Sequence, residues 1–276
     1  MPKHLTEAQI QAYKTDGFCS PIDVMSEADA LDFRRRLEEV EAEYPGALDA
    51  SNRNNAHLVL KVIDEITHHP AILDAVEDII GPDILVFGTV LFIKEPGDPG
   101  FVSWHQDGKY MGLVPHDGVT AWLALSPSNQ ESGCMTMLPG SGHGGIRDHN
   151  DTFGENNILT RGQEVDVAQD EGAIDLVLRP GQMSFHDREV VHSSKPNISD
   201  DRRIGIVIQS YLPPNVHQVK GEGFVQWARG APVPAQHTAL NRPQSDLDEA
   251  GVDERDHVNA AWSEILYDNA TQKRDL

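Results

Sequence analysis

The sequence predicts a mainly β protein with flanking helices, a double-sheet jelly roll with its helices packed outside. Three observations carry this. Helical periodicity occupies the first third of the chain. Five apolar, β-rich runs follow between residues 84 and 212. Clusters of Gly, Pro, Asn and Asp separate those runs as turns. A length of 276 residues suits one domain over 1–276. Its parts are a mostly helical stretch (1–83), a jelly-roll core (84–213) and a C-terminal extension (214–276).

Thr6 is an N-cap with Gln9 in the capping-box position, and Gly17 stops the helix that runs toward Thr15. Ser26 opens a second helix. Leu31, Leu37 and Val40 form its apolar stripe, and Tyr44-Pro45-Gly46 ends it. Pro70 starts a third, with Ile72, Leu73, Val76, Ile79 and Ile80 on one side and Gly81-Pro82 beyond. The expected strands are 84–94, 119–125, 134–138, 182–186 and 204–212. Gly140–Gly145 is expected to be a mobile loop at a pocket mouth. A last helix is expected near 258–265, in an extension that serves as a lid, an arm or an oligomer contact.

Composition narrows the function. The net charge of −22 excludes nucleic acid and anionic membrane as partners, because both are polyanions. The apolar runs are too short to span a bilayer, and Met1–Thr6 carries no apolar signal region. Two cysteines, Cys19 and Cys134, imply no disulfide framework and fit a reducing compartment. The expectation is a cytoplasmic protein acting on a small molecule, with an oligomeric state that composition does not set.

The chemistry concentrates in His105-Gln106-Asp107 and in His192. On a strand, residues i and i+2 share a face, so His105 and Asp107 reach one ion while Gln106 points away. Two histidines and one carboxylate leave three open positions on an octahedral ion, as a non-haem Fe(II) oxygenase requires; a structural zinc site is closed by a fourth ligand. After His192 a Pro-Asn-Ile-Ser-Asp-Asp turn folds the chain back, returning Arg203 toward the metal. A guanidinium there, with the Ser194 hydroxyl, suits a carboxylate. An iron with open positions beside an anchored carboxylate implies 2-oxoglutarate.

These pieces resemble the phytanoyl-CoA dioxygenase family of Fe(II)/2-oxoglutarate oxygenases. The resemblance rests on Trp104-His105-Gln106-Asp107, Ala121-Trp122, Glu131-Ser132-Gly133-Cys134, Leu138-Pro139-Gly140-Ser141, Gly181 and His192-x-Ser194 with Arg203. It covers roughly 84–213 and, more weakly, 11–18. It implies a double-stranded β-helix, cupin-like core and the cosubstrates 2-oxoglutarate and O₂. It also implies His105, Asp107 and His192 as iron ligands, Ser194 and Arg203 on the distal carboxylate, and Trp122 with Gln106 lining the cosubstrate pocket. The stretch is also similar to the non-haem chlorinating enzymes, which replace the carboxylate ligand with a small residue to admit chloride. Asp107 occupies that position here, so hydroxylation is favoured.

The motif does not name the substrate. A small polar metabolite, with 2-aminoethylphosphonate as the specific candidate, requires two or three of Arg53, Asn55, His57, Lys109 and Arg188 to converge on one anion. Tyr110 is a further candidate contact. His186-Asp187 is read as supporting the site from outside the ligand set or lying at the surface. An amino-acid or natural-product hydroxylase, and a cupin-like binding or sensor protein without 2-oxoglutarate turnover, are the competing readings.

Overall fold

The computed structural model describes residues 1–168 and 172–274. Its centre is a seven-stranded sheet packed against a four-stranded one. The strands that matter are β1 (Phe18–Asp23), β2 (Ile84–Lys94), β3 (Val102–His105), β4 (Val119–Ala124), β5 (Met135–Met137), β6 (Ile174–Asp175), β7 (Gln182–His186), β8 (His192–Ser194), β9 (Arg203–Leu212), β10 (Phe224–Arg229) and β11 (Thr238–Leu240). The large sheet runs β1-β7-β4-β9-β2-β10-β11 and the small one β3-β8-β5-β6. All pairings are antiparallel except β10 with β11. Two short ribbons, Leu113–Val114 with His217–Gln218 and Asn150–Asp151 with Gln163–Glu164, lie beside them. This is the jelly roll expected.

Period-two alternation divides the strands between two cores. On β9, Ile204, Ile206 and Ile208 join the large core, as do Leu91 and Ile93 on β2. Val207 on β9, with Val90 and Phe92 on β2, instead meets Trp122, Met135 and Met137. The large sheet therefore packs on helices with one face and on the small sheet with the other. Arg203, Val207 and Gln209 line the cavity on the second face.

The helices are α1 (Glu7–Asp16), α2 (Glu27–Glu43), α3 (Lys61–Thr67), α4 (Pro70–Ile80), α5 (Gly108–Met111) and α6 (Glu249–Leu266). The Thr6–Gln9 capping box forms and Gly17 closes α1 at φ 81°. Pro70 takes the first turn of α4, which buries Ile72, Leu73, Ala75 and Val76. On α2 the buried stripe is Ala30, Leu37 and Val40. Leu31, expected on that stripe, is exposed. Four further elements depart from expectation. β1 pairs at the sheet edge despite Pro21, a position where a missing N–H is tolerated. Strands β10 and β11, from the C-terminal extension, complete the sheet's other edge. Helix α6 begins nine residues earlier than read.

Candidate functional site

His105 ends β3 and His192 begins β8, and the two residues are direct cross-strand partners. Their rings lie 4.1 Å apart, centroid to centroid. Each ring is fixed through Nδ1: His105 bonds the carbonyls of Ser103 (2.9 Å) and His192 (3.1 Å), and His192 bonds that of Val190 (3.0 Å). A carbonyl only accepts, so Nδ1 carries a proton on both rings and Nε2 is the atom turned to the site. Burial presses His192 down to about 3, so its ring is neutral, the form that binds metal.

Asp107 reaches these nitrogens by a route the strand argument did not anticipate. The strand stops at His105, and Asp107 is the helical residue (φ −59°, ψ −41°) that starts α5. The turn, not strand alternation, swings its carboxylate back to place Oδ1 3.3 Å from His105 Nε2 and 3.9 Å from His192 Nε2. Burial opposes its charge, yet His192, His105 and His186 hold its carboxyl well below the usual range. Among the described residues His105, Asp107 and His192 form the group able to hold a metal, their ligand atoms all within 4.8 Å of one another.

A second polar centre lies along β9. Arg203 is buried, with its guanidinium 5.4 Å from the Trp122 ring and one amino group bonded to the Gly133 carbonyl. Its Nε has no partner. Gly205 is needed beside it: a Cβ there would lie 2.1 Å from the Trp122 ring. Lys94 on β2 pairs directly with Arg203, is equally buried, and donates to Ser194 Oγ (2.9 Å) and to the Lys195 carbonyl. Burial, then the Arg203 charge, push the Lys94 ammonium down to about 6; burial lowers Arg203 to about 10. Lys94 escaped the sequence reading because it looked like the polar end of an apolar strand.

Both centres border one cavity of about 610 Å³. Tyr110 and Arg53 reach it. Arg53 is held by the Leu48 and Ile93 carbonyls, and Tyr110 lies between Arg161 and the His149 ring. The other expected contacts lie elsewhere. Asn55 is buried and bonds Asn259. His57 is buried against Thr89 and lowered to about 3 by burial. Lys109 is exposed. Arg188 is buried on the Pro115 and Asp117 carbonyls. Of the five, Arg53 alone borders the cavity, so the convergence of two or three that a phosphonate requires does not form there. Gln106 also lies off the cavity. Its amide bonds the Gly145 and Glu189 carbonyls and the Arg147 N–H, which fixes the loop behind the histidines. The Gly140–Gly145 segment is a short turn beneath β8, where Ser141 Oγ accepts from Val191 N, and does not border the cavity.

One cavity wall comes from the C-terminal extension. Asn259, Trp262, Ser263, Leu266 and Tyr267 face in, followed by Lys273 and Arg274. Trp262 stacks on Phe87 at 4.6 Å, over Gly88, where a Cβ would lie 2.2 Å from the ring. Arg161 fastens the wall: it pairs with Asp151 and donates to the Leu266 and Asp268 carbonyls at the end of α6. The sequence suggested a helix in an extension serving as a lid, an arm or an oligomer contact, and no signal in it named the residues that face in.

Residues 13–205 match the family profile described as phytanoyl-CoA dioxygenase. The chain belongs to the phytanoyl-CoA dioxygenase family. It is thereby a member of the Fe(II)- and 2-oxoglutarate-dependent dioxygenase class. Among curated relatives, a probable alpha-ketoglutarate-dependent hypophosphite dioxygenase of Stutzerimonas stutzeri is 31% identical over 157 residues, covering 56% of this chain and 54% of that protein. The peroxisomal phytanoyl-CoA dioxygenase of Bos taurus is 26% identical over 247 residues, covering 80% and 73%. Among solved structures, the non-heme monooxygenase ThoJ, in its apo form, superposes with a TM-score of 0.81 at 30% identity, covering 94% of this family member and 98% of that chain. No helix among the described residues is long and apolar enough to cross a membrane.

Proposed function

We propose that the protein is an Fe(II)- and 2-oxoglutarate-dependent hydroxylase acting on an organic molecule of moderate size. One observation carries this: two histidines and a carboxylate share a cavity with Arg203, a buried guanidinium that has no anion, and with Ser194, whose hydroxyl takes a hydrogen bond from the buried Lys94. Leaving buried charge uncompensated costs on the order of several kcal/mol. Lys94 and Arg203 therefore fit an incoming carboxylate, and the donor set fits Fe(II).

His105, Asp107 and His192 hold the metal in this reading. Arg203, Lys94 and Ser194 take the distal carboxylate of 2-oxoglutarate, with the Trp122 ring packed beside the guanidinium. Bound there, Fe(II) with 2-oxoglutarate and O₂ supplies the oxidant for an unactivated C–H bond. The chain's own work is to hold both imidazoles with Nε2 directed to the site, to anchor the cosubstrate, and to exclude water. Val90, Phe92, Met111, Trp262 and Leu266 offer an apolar surface for a carbon skeleton. Arg53, Lys273 and Arg274 offer cationic groups for a polar or anionic end. The domain is read as one unit over 1–276, in a cytoplasmic setting consistent with the two buried free cysteines.

A small phosphorus substrate, including 2-aminoethylphosphonate, is the second reading. The hypophosphite dioxygenase relative favours it. The dispersal of Arg53, Asn55, His57, Lys109 and Arg188 disfavours it. The deciding experiment reconstitutes the protein with Fe(II), 2-oxoglutarate and O₂ and screens phosphonates and larger metabolites for substrate-dependent succinate release. Phosphonate-selective release would install the second reading. Binding of 2-oxoglutarate without succinate from any candidate would make the protein a sensor or binding module.

A further inference from the structure

We propose that His186 is a positioning residue of the metal site: it donates a hydrogen bond to the outer oxygen of Asp107 and so keeps that carboxylate on the metal through one oxygen. The inference rests on the metal-site reading above and deepens it.

His186 ends β7, held between Thr120 of β4 and Phe18 of β1. It is 1% exposed, lines the cavity, and lies 4.8 Å from the His192 ring. Both of its ring nitrogens are buried without a hydrogen-bond partner, an arrangement that folded proteins seldom keep at a site without purpose. The nearest acidic atom is Asp107 Oδ2, 3.6 Å from Nε2. The two oxygens of Asp107 thus face different ways. Oδ1 turns to the Nε2 atoms of His105 and His192, and Oδ2 turns to His186.

A neutral imidazole has one N–H to give, and a carboxylate oxygen off the metal is its natural acceptor. A short closure of the 3.6 Å gap completes the bond. With Oδ2 so engaged, Asp107 occupies one metal position rather than two, and three positions stay open for the cosubstrate and O₂. His186 is not itself assigned to the metal, because the ligand-atom group comprises His105, Asp107 and His192.

Co(II) titration, followed by visible absorption, tests this without turnover. The variants are His186→Leu, which removes the donor, and His186→Gln, which keeps one at similar reach. Thermal melts confirm folding; if the leucine variant does not fold, His186→Asn, whose amide is too short, serves instead. The expected result is a loss of about 10–100-fold in Co(II) affinity for the donor-less variant, the range typical of an outer partner of a ligand. His186→Gln should recover most of the affinity with the wild-type spectrum. Wild-type affinity in the leucine variant would overturn the proposal. So would a glutamine variant as weak as leucine with a changed spectrum, which would make His186 a direct ligand. Failure of the unmodified protein to bind Co(II) would instead remove the metal-site reading itself.

Discussion

Lys94 and Arg203 stand opposite each other on paired antiparallel strands, both buried, and neither forms a salt bridge among the described residues. Charging both opposes folding, and an anion between them favours the charged pair. The same pair therefore links stability, cosubstrate binding and pH.

The linkage has a definite sign. Lys94 is lowered to about 6 from an ordinary value of 10.5, so its burial penalty is fully present below pH 6 and is relieved as pH rises toward 10.5. A bound carboxylate favours the ammonium, so binding above pH 6 takes up a proton. The 2-oxoglutarate dissociation constant should rise between pH 6 and 8, approaching about tenfold per unit. Lys94→Met should abolish that slope, weaken binding, and raise the melting temperature of the cosubstrate-free protein. Calorimetry in two buffers of different ionisation enthalpy measures all but the last, which a thermal melt supplies.

Arg203→Ala should act on the same step, raising the 2-oxoglutarate requirement far more than it changes substrate affinity. An unchanged requirement would assign the distal carboxylate to another residue.

Asp107→Ala should abolish substrate oxidation while some metal binding persists through His105 and His192. The loss should exceed the roughly 10–100-fold that removing an outer partner of a ligand causes. Succinate release and metal titration, run side by side, separate the two effects.

Gly205→Ala places a methyl group 2.1 Å from the Trp122 ring. Overpacking of this kind costs about 1–3 kcal/mol. Denaturant unfolding should register that cost, and the displaced Trp122 should weaken 2-oxoglutarate binding as well.

Arg161→Ala releases the end of α6 from Asp151 and leaves the Leu266 and Asp268 carbonyls without that donor. Substrate KM should rise several-fold while 2-oxoglutarate affinity holds, and the segment after Leu266 should become more open to limited proteolysis. Equal losses in both affinities would place the wall's role at the metal instead.

The sequence carried the centre of the site better than its edges, for a physical reason. His105, Asp107, His192 and Arg203 are recognisable because their chemistry demands particular residue types at fixed spacing. Asp107 kept its spacing even though the backbone between it and His105 turns rather than extends. Lys94 gave no signal, and His186 gave only a choice between supporting the site and lying at the surface. A lysine at a strand end and a histidine beside an aspartate are ordinary until the sheets close over them. Arg188, His57 and Asn55 erred the other way: polarity near the motif suggested substrate, but each is buried, held through one side-chain nitrogen by a neighbour, and off the cavity. Likewise the jelly roll was visible in five apolar runs, whereas β1 and β11 are the edge strands and β10 the strand next to β11, and the pairing of β1 and β10 depends on partners far along the chain.

The family profile ends at Gly205, well before the wall formed by α6 and the tail. On the proposed function, part of the surface that meets the substrate is thus written beyond the length that carries the metal ligands. On that reading, a lineage can revise part of what it oxidises by redrafting the residues from Asn259 to Arg274, which include none of the residues proposed to hold the metal or 2-oxoglutarate.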